Sequence, residues 1–439
     1  MLSKLPHKVN VLFFIVALIC NLKIKSDPPI WVGFGDPYDY LAQSKLSLTD
    51  KNLYCPPANI GFNGRPFTVP LLYKIADSDP VRIITLQEFL NALSSFFLVA
   101  VLLLYINRNY LKYIAIVSIY LLMSWWNILG WSINLLSESI CLSLTFAWIA
   151  SFLLLYRKRT KWYLVLHLLI TLLFSFSRDN CPYIIVLLYS TLVIGGWLWD
   201  KAYLKQYLVL LASGVIVFAA QSYTAKAGTR NRLPILNNIV VRIMPDKDYF
   251  LWFKNNGLPQ SDKLVAEYSG TKCNDSKIYK LYNDSSYDDL NTWVCSRGTS
   301  TFIKFLATHP YHAFLLDQTA EERNRIFAYN LPGYTGDING YSKISDFIFP
   351  FFGKGLLIFL IFLVILKFIK QKQYLLLFPV ILTIVFALHA LLAYDSDALE
   401  VERHLFITNI MMQFIGIISV IFILNPRSPM PVTGTQYVK

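Results

Sequence analysis

"ESICLSLTFAWIASFLLLYRKRTKWYLVLHLLITLLFSFS", residues 138–177, decides the fold. Two apolar runs, 138–156 and 162–177, flank the basic turn RKRTK at 157–161. Each run is close to the length that crosses a hydrocarbon layer of about 30 Å. The packed cations between them mark the cytoplasmic side of a membrane hairpin. Similar runs lie at 86–106, 113–130, 182–199, 206–222, 346–366, 374–393 and 405–424. The run at 113–130 leads into a polar interruption, "NILGWSINLLSESI" at 127–140. A further run, "VLFFIVALICNLKI" at 11–24, follows the basic start "MLSKLPHKVN". No small-residue cleavage site follows it, so it reads as an uncleaved first helix. The expectation is an all-α polytopic membrane protein with about ten transmembrane helices.

Composition agrees. The chain has 439 residues, 55% hydrophobic and 15% charged, and a mean hydropathy of +0.46. The net charge of +13 is concentrated in short loops between apolar runs. With the N-terminus inside, the inner segments 1–9, 107–112, 157–161, 200–205, 367–373 and 425–439 hold 15 Lys and Arg against one acid, Asp200. That is the positive-inside pattern, with no basic face or motif that points to nucleic acid. Of the six cysteines, Cys20, Cys141 and Cys181 lie in or beside apolar runs and read as packing residues. Cys55 lies in the first loop. Cys273 and Cys295 share a long polar segment and are able to pair in an oxidising compartment, although spacing alone does not establish a bond.

The polar material falls on the other face. The first outer loop, 25–84, has six basic residues and six acids. The segment 223–345 is long enough for a mixed extracytoplasmic subdomain, with turn signals at "NNGLPQ" and "NLPGYTGDING" and sequons at Asn274 and Asn283. Its stretch "STFIKFLATHPYHAFL", residues 300–315, suits a helix lying on the membrane. The chain therefore divides into 1–222, 223–345 and 346–439: helices with the first outer loop, the subdomain, and the last helices with a short cytoplasmic tail.

Five outer clusters stand out: Asp36 and Asp39 in "GFGDPYDYLAQSKLSL"; Arg65-Pro66 in "NGRPFTVPLLYKI"; Glu138 in "NLLSESI"; Arg178 and Asp179 in "FSRDNCPY"; and Asp395, Asp397, Glu400, Glu402, Arg403 and His404 in "YDSDALEVERHLF". Polar residues at helix ends are commonly solvated caps or interfacial anchors. These five share one side and one depth and mix acids with arginines, so together they read as a cleft at the lipid–water boundary. Such a cleft suits a lipid-anchored phosphate ester. Arginine forks hold the phosphate, and a carboxylate takes a proton from an attacking hydroxyl. A phosphate diester leaves as a stable anion, so one base and one or two arginines suffice. Asp36 reads as the base, with Asp39 orienting it. The Gly33–Gly35 turn before Pro37 places Asp36 at an N-cap position.

These residues resemble the GT-C class of integral-membrane glycosyltransferases, over about the first 180 and the last 60 residues. The likeness rests on Asp36, Tyr40, Ala42 and Leu46; on Arg65, Pro66 and Pro70; on Leu136-Ser137-Glu138-Ser139-Ile140; and on Arg403 before a late helix. It departs in the spacing of the two first-loop acids and in lacking a larger soluble C-terminal domain. The resemblance implies transfer of a sugar, a hexose or a pentose, from a polyprenyl-phosphate donor to a glycan, lipid or protein acceptor on the non-cytoplasmic face. Asp36 and Asp39 would be catalytic. Tyr40, Arg65, Glu138, Arg178, Arg403 and His404 would bind substrate. The sequence demands no cofactor and marks no metal ligand set, although paired acids suit Mg²⁺ or Mn²⁺. The composition favours a bacterial inner membrane. Two other readings stand beside this one. An O-antigen-type polymerase or ligase would place the chemistry on Arg230, Arg232, Arg242, His309 and His312 and make Asp36 dispensable. A transporter of lipid-linked glycan would need charge in mid-membrane, where His389 and Lys354 are the main exceptions to nearly charge-free helices, and would usually show an internal repeat, which is not visible.

Overall fold

Each of the ten apolar runs is built around an α-helix in the computed structural model, which describes residues 5–24, 35–58, 62–199, 201–259, 262–269, 281, 284–315, 351–398 and 401–426. Gly33, Cys273, Asn274, Asn283 and Glu400 lie outside these, and so do the sequons and the Cys273–Cys295 pairing. The helices are α1 (Leu5–Ile24), α2 (Asp36–Ser44), α3 (Lys51–Tyr54), α4 (Thr68–Ile75), α5 (Pro80–Leu102), α6 (Asn109–Met123), α7 (Trp126–Ser132), α8 (Ser137–Lys158), α9 (Lys161–Ser175), α10 (Cys181–Trp199) and α11 (Leu204–Ala227). The segment after α11 adds α12 (Arg232–Asn238), α13 (Lys247–Asn255), α14 (Asp262–Tyr268), α15 (Asp288–Trp293), α16 (Thr299–Thr308) and α17 (Pro310–Ala313). The chain closes with α18 (Lys354–Gln371), α19 (Leu377–Ser396), α20 (Val401–His404) and α21 (Phe406–Leu424).

Among the described residues six helices are long and apolar enough to cross a membrane, namely α5, α8, α10, α11, α19 and α21. The pair α6 and α7 brings the number to seven if it counts as one span, bent by 57° at its break. The expected ten are not reached on length and composition. The apolar parts of α1 and α9 are short, and α18 carries Lys354, Lys367 and Lys370. The break after α6 falls at Ser124-Trp125, and the turn after α7 exposes carbonyls that the buried Gln87 of α5 satisfies. Its amide donates to Ser132 O and Asn134 O, both at 2.9 Å. Irregular backbone at such depth needs protein partners.

The core sits on α8 and α21, which are buried on nearly every face. Helix α11 instead turns Leu208, Val209, Val215 and Ile216 outward, as a helix facing lipid does. At the cation-rich end of the bundle, Lys367 donates to Phe422 O at 2.7 Å, to Ile423 O at 2.9 Å and to Asn425 O, satisfying carbonyls that α21 leaves open at its C-terminus. Asn425 in turn holds Tyr105 O at 2.9 Å and accepts from Asn107 N at 3.0 Å.

The segment after α11 has its own apolar core, with Leu236, Ile239, Val240, Ile243, Phe253, Leu281, Val294 and Phe305 fully buried. The expected mixed subdomain is helical among the described residues, with no strand. It is fastened to the end of α19. Asn237 donates to Asp397 at 2.9 Å, Asn238 to Asp395 O at 2.9 Å, and Arg242 to Tyr394 O at 2.6 Å, with the Arg242 guanidinium 3.9 Å from the Tyr394 ring centre.

Candidate functional site

Helix α2 begins where Gly35 takes φ +72°, a left-handed value that glycine adopts without penalty. Asp36 is the first residue of the helix, and Gly35 holds the N-cap position with no side-chain cap. The expectation that Asp36 is the N-cap is therefore corrected. Its carboxylate turns instead to two guanidiniums. Arg65 Nη2 donates to Asp36 Oδ1, and Arg403 Nη2 donates to Asp36 Oδ2 at 2.7 Å. Asp39 lies one turn along the same face and shares Arg65 Nη2, at 2.7 Å from Asp39 Oδ2. Arg403 Nε also donates to Glu138 Oε1, and Arg178 Nη1 lies 3.2 Å from the same oxygen. Six charged side chains from five segments of the chain thus form one network.

Local structure holds them there. The fully buried Gln43 clamps the Arg65 backbone, donating to Arg65 O at 2.9 Å and accepting from Arg65 N at 2.8 Å. Asn63 donates to Asp39 through its backbone N–H at 3.0 Å and its side chain at 3.3 Å. Thr68 N donates to Phe176 O at 3.1 Å, and the Phe67 and Phe176 rings sit 4.5 Å apart, so α4 is sewn to the turn that carries Arg178. Tyr73 Oη donates to Leu136 O at 3.2 Å, which ties α4 to the start of α8 and thus to Glu138. Tyr40 lies under Arg65, 5.5 Å from guanidinium carbon to ring centre.

Three carboxylates face three guanidiniums. Burial pushes the Asp36 carboxyl up, but Arg65 and Arg403 outweigh it and hold it well below the usual carboxylate range. Burial disfavours the Arg65 cation, and Asp36, Tyr40 and Asp39 more than restore it. Burial raises the Tyr40 hydroxyl to about 12. The Asp36 side chain is 28% exposed and that of Asp39 only 4%, so Asp36 is the one a ligand reaches. Arg65 Nε and Arg178 Nη1 are buried donors without a well-aligned acceptor. Unsatisfied buried donors call for a ligand or a water. Among the described residues, no three His, Cys, Asp or Glu side chains gather as a metal site.

The other expected residues fall elsewhere. His404 Nε2 lies 3.6 Å from Asp397 Oδ2, beside the network rather than in it. Asp179 turns away from Arg178 to Gln221 at 2.6 Å and to Arg230 at 3.0 Å. Of the residues the polymerase reading needs, Arg230 is thus committed to Asp179, Arg242 to Tyr394, and Arg232 donates to Asn291 at 3.2 Å. His309 stacks on Phe305 with ring centres 4.4 Å apart, and His312 is buried in the same aromatic cluster. Sequence reading passed over Gln43 and Asn63, whose amides look like loop filler until the loop is folded. It also passed over Glu88 and His167, both buried within α5 and α9. Comparison with family models, with curated proteins and with solved structures gave no match.

Proposed function

We propose that this chain is a membrane glycosyltransferase that moves a sugar from a polyprenyl-phosphate donor to an acceptor hydroxyl on the extracytoplasmic face. What carries the reading is the convergence of Asp36, Asp39, Arg65, Glu138, Arg178 and Arg403 at one end of the bundle, with Asp36 partly exposed. The cation-rich turns lie at the other end, which supports an outward-facing site. On this reading α1, α6 with α7, α9 and α18 also cross, giving about ten spans in a bacterial inner membrane.

The donor phosphate competes for the forks of Arg65, Arg178 and Arg403. Buried forks bind a tetrahedral anion well because its oxygens match their spacing. As the phosphate draws a guanidinium from Asp36, the carboxylate gains proton affinity and a free lone pair. It then accepts the proton of the acceptor hydroxyl, whose oxygen bonds to the sugar's anomeric carbon while the carbon–oxygen bond to phosphate breaks. The polyprenyl phosphate leaves as an anion held by the arginines. Asp39, bound to Asn63 and Arg65, keeps Arg65 in place.

The purified chain, in vesicles with a membrane extract as acceptor, should consume at least one of a panel of hexosyl and pentosyl polyprenyl phosphates. The double variant Asp36→Asn/Asp39→Asn should consume none. A wild-type chain that leaves every donor intact would remove the assignment, and donor crossing the bilayer unchanged would favour the transporter.

A further inference from the structure

Cys141 stands three residues after Glu138 in the first turns of α8, and Cys181 stands three residues after Arg178 at the start of α10. Both are fully buried. Their sulfurs are 3.2 Å apart, and Ser177 Oγ lies 3.2 Å from Cys141 Sγ and 3.6 Å from Cys181 Sγ. Both are free thiols in the structure, and apolar packing alone does not require two thiols to face each other. A disulfide needs its sulfurs at about 2.05 Å and its backbones already placed within reach. Closing this gap moves each sulfur by roughly 0.6 Å. The backbones are held independently: Glu138 is joined to Arg178, and the turn before α10 is tied to Thr68.

We propose that Cys141 and Cys181 are joined by a disulfide that pins α8 to α10 one turn beneath the Glu138–Arg178 ion pair. The inference rests on the outward sidedness proposed above, because that face of a bacterial inner membrane is oxidising. The oxidant is a protein disulfide of the dithiol–disulfide oxidoreductase class, acting before α10 packs. One cysteine thiolate attacks that disulfide, forms a mixed disulfide and releases one thiolate of the oxidant. The second cysteine thiolate then displaces the other oxidant sulfur. Two protons leave the substrate thiols, and the oxidant, having gained two electrons, ends as a dithiol. The bond closes a loop of 40 residues, a length at which a crosslink restricts the unfolded chain substantially.

The test uses the full chain, denatured in an alkylating agent without reductant and mapped by peptide mass. The 141 and 181 peptides should appear linked and unalkylated, while Cys20, exposed in α1, is alkylated in the same sample. Prior reduction should release both peptides and lower the thermal midpoint of the folded protein by about 5 °C. The double variant Cys141→Ala/Cys181→Ala should show no such dependence on reductant. Two fully alkylated thiols in the unreduced wild type overturn the crosslink. Labelling a cysteine placed at the exposed Lys51 with an impermeant reagent, before and after the inner face is opened, then separates the cases. Outward labelling leaves the sidedness standing and condemns the disulfide alone; inward labelling condemns both.

Discussion

Both oxygens of Asp36 are engaged by arginines, and that determines how its substitutions should behave. Asp36→Asn keeps the shape and removes the negative charge. Transfer should fall by on the order of 10²–10⁴, and the thermal midpoint should fall as well, because Arg65 and Arg403 lose the negative charge they share. Near-normal turnover in a folded Asp36→Asn protein would move the base to Asp39. The lowered proton affinity also has a sign. Its folded value lies below the ~3.9 of a free aspartate, so its contribution to stability is complete above that pH. It is lost only as pH falls further, through the folded value. Hence kcat/KM, which reports the free enzyme, should stay flat on the acid side down to about pH 5. An inflection at higher pH that disappears in Asp36→Asn would contradict the ion pairs. Arg403 is the other pivot, since it bridges Asp36 and Glu138. Arg403→Ala should cut donor turnover more than tenfold and leave the fully buried Glu138 with Arg178 alone, a loss of roughly 3–5 kcal/mol. Arg403→Lys should restore only part, because an ammonium cannot span two carboxylates as a fork does.

Among the elements, α21 shows most plainly where sequence reading ends. Its apolarity from 405 to 424 announces a helix, and burial follows from its having no polar face. Which neighbour it meets was not legible. Gly416 is a case in point. An added Cβ there would come 2.5 Å from the Phe352 ring, because Gln413 holds the Phe352 backbone with bonds of 3.0 and 2.9 Å. Gly416→Ala should therefore destabilise by about 1–3 kcal/mol, read as a fall in the thermal midpoint. Its sequence context, "QFIGIIS", shows only a glycine in a helix. The first outer loop tells a similar story. The acids and Arg65 were visible as a cluster, since charge beside apolar runs is conspicuous. The partner of each charge was not, because one-turn spacing relates Asp36 to Asp39 but nothing local relates Asp36 to Arg403, 367 residues away. The N-cap expectation failed by a single position, since the glycine's positive φ lets the helix start one residue earlier than Pro37 implied.

For the whole molecule, charge bias and hydropathy carried the architecture, and both are sums that tolerate local error. They placed the helices well, but helix length and composition do not establish the count of about ten spans, because a run of apolar residues shows neither a 57° bend nor a helix that stops short. Sidedness is open to a direct trial. Single cysteines in place of the exposed Lys51 and Asp248 should react with an impermeant thiol reagent from outside intact cells, and one in place of the exposed Lys158 only after the inner face is opened. Labelling of the Lys51 and Lys158 positions from the same side would end the topology. One consequence of the short helices reaches beyond the protein. On the proposed topology α9 crosses with 15 residues, about 22 Å at 1.5 Å per residue, against a hydrocarbon layer of about 30 Å. Lipid beside it would then thin to meet it, at a cost for each ångström of hydrophobic mismatch. The protein should accordingly gather shorter-chain lipids around that flank and work faster in vesicles of short acyl chains than in long ones, so that the acyl length of its surroundings acts as a control on its rate.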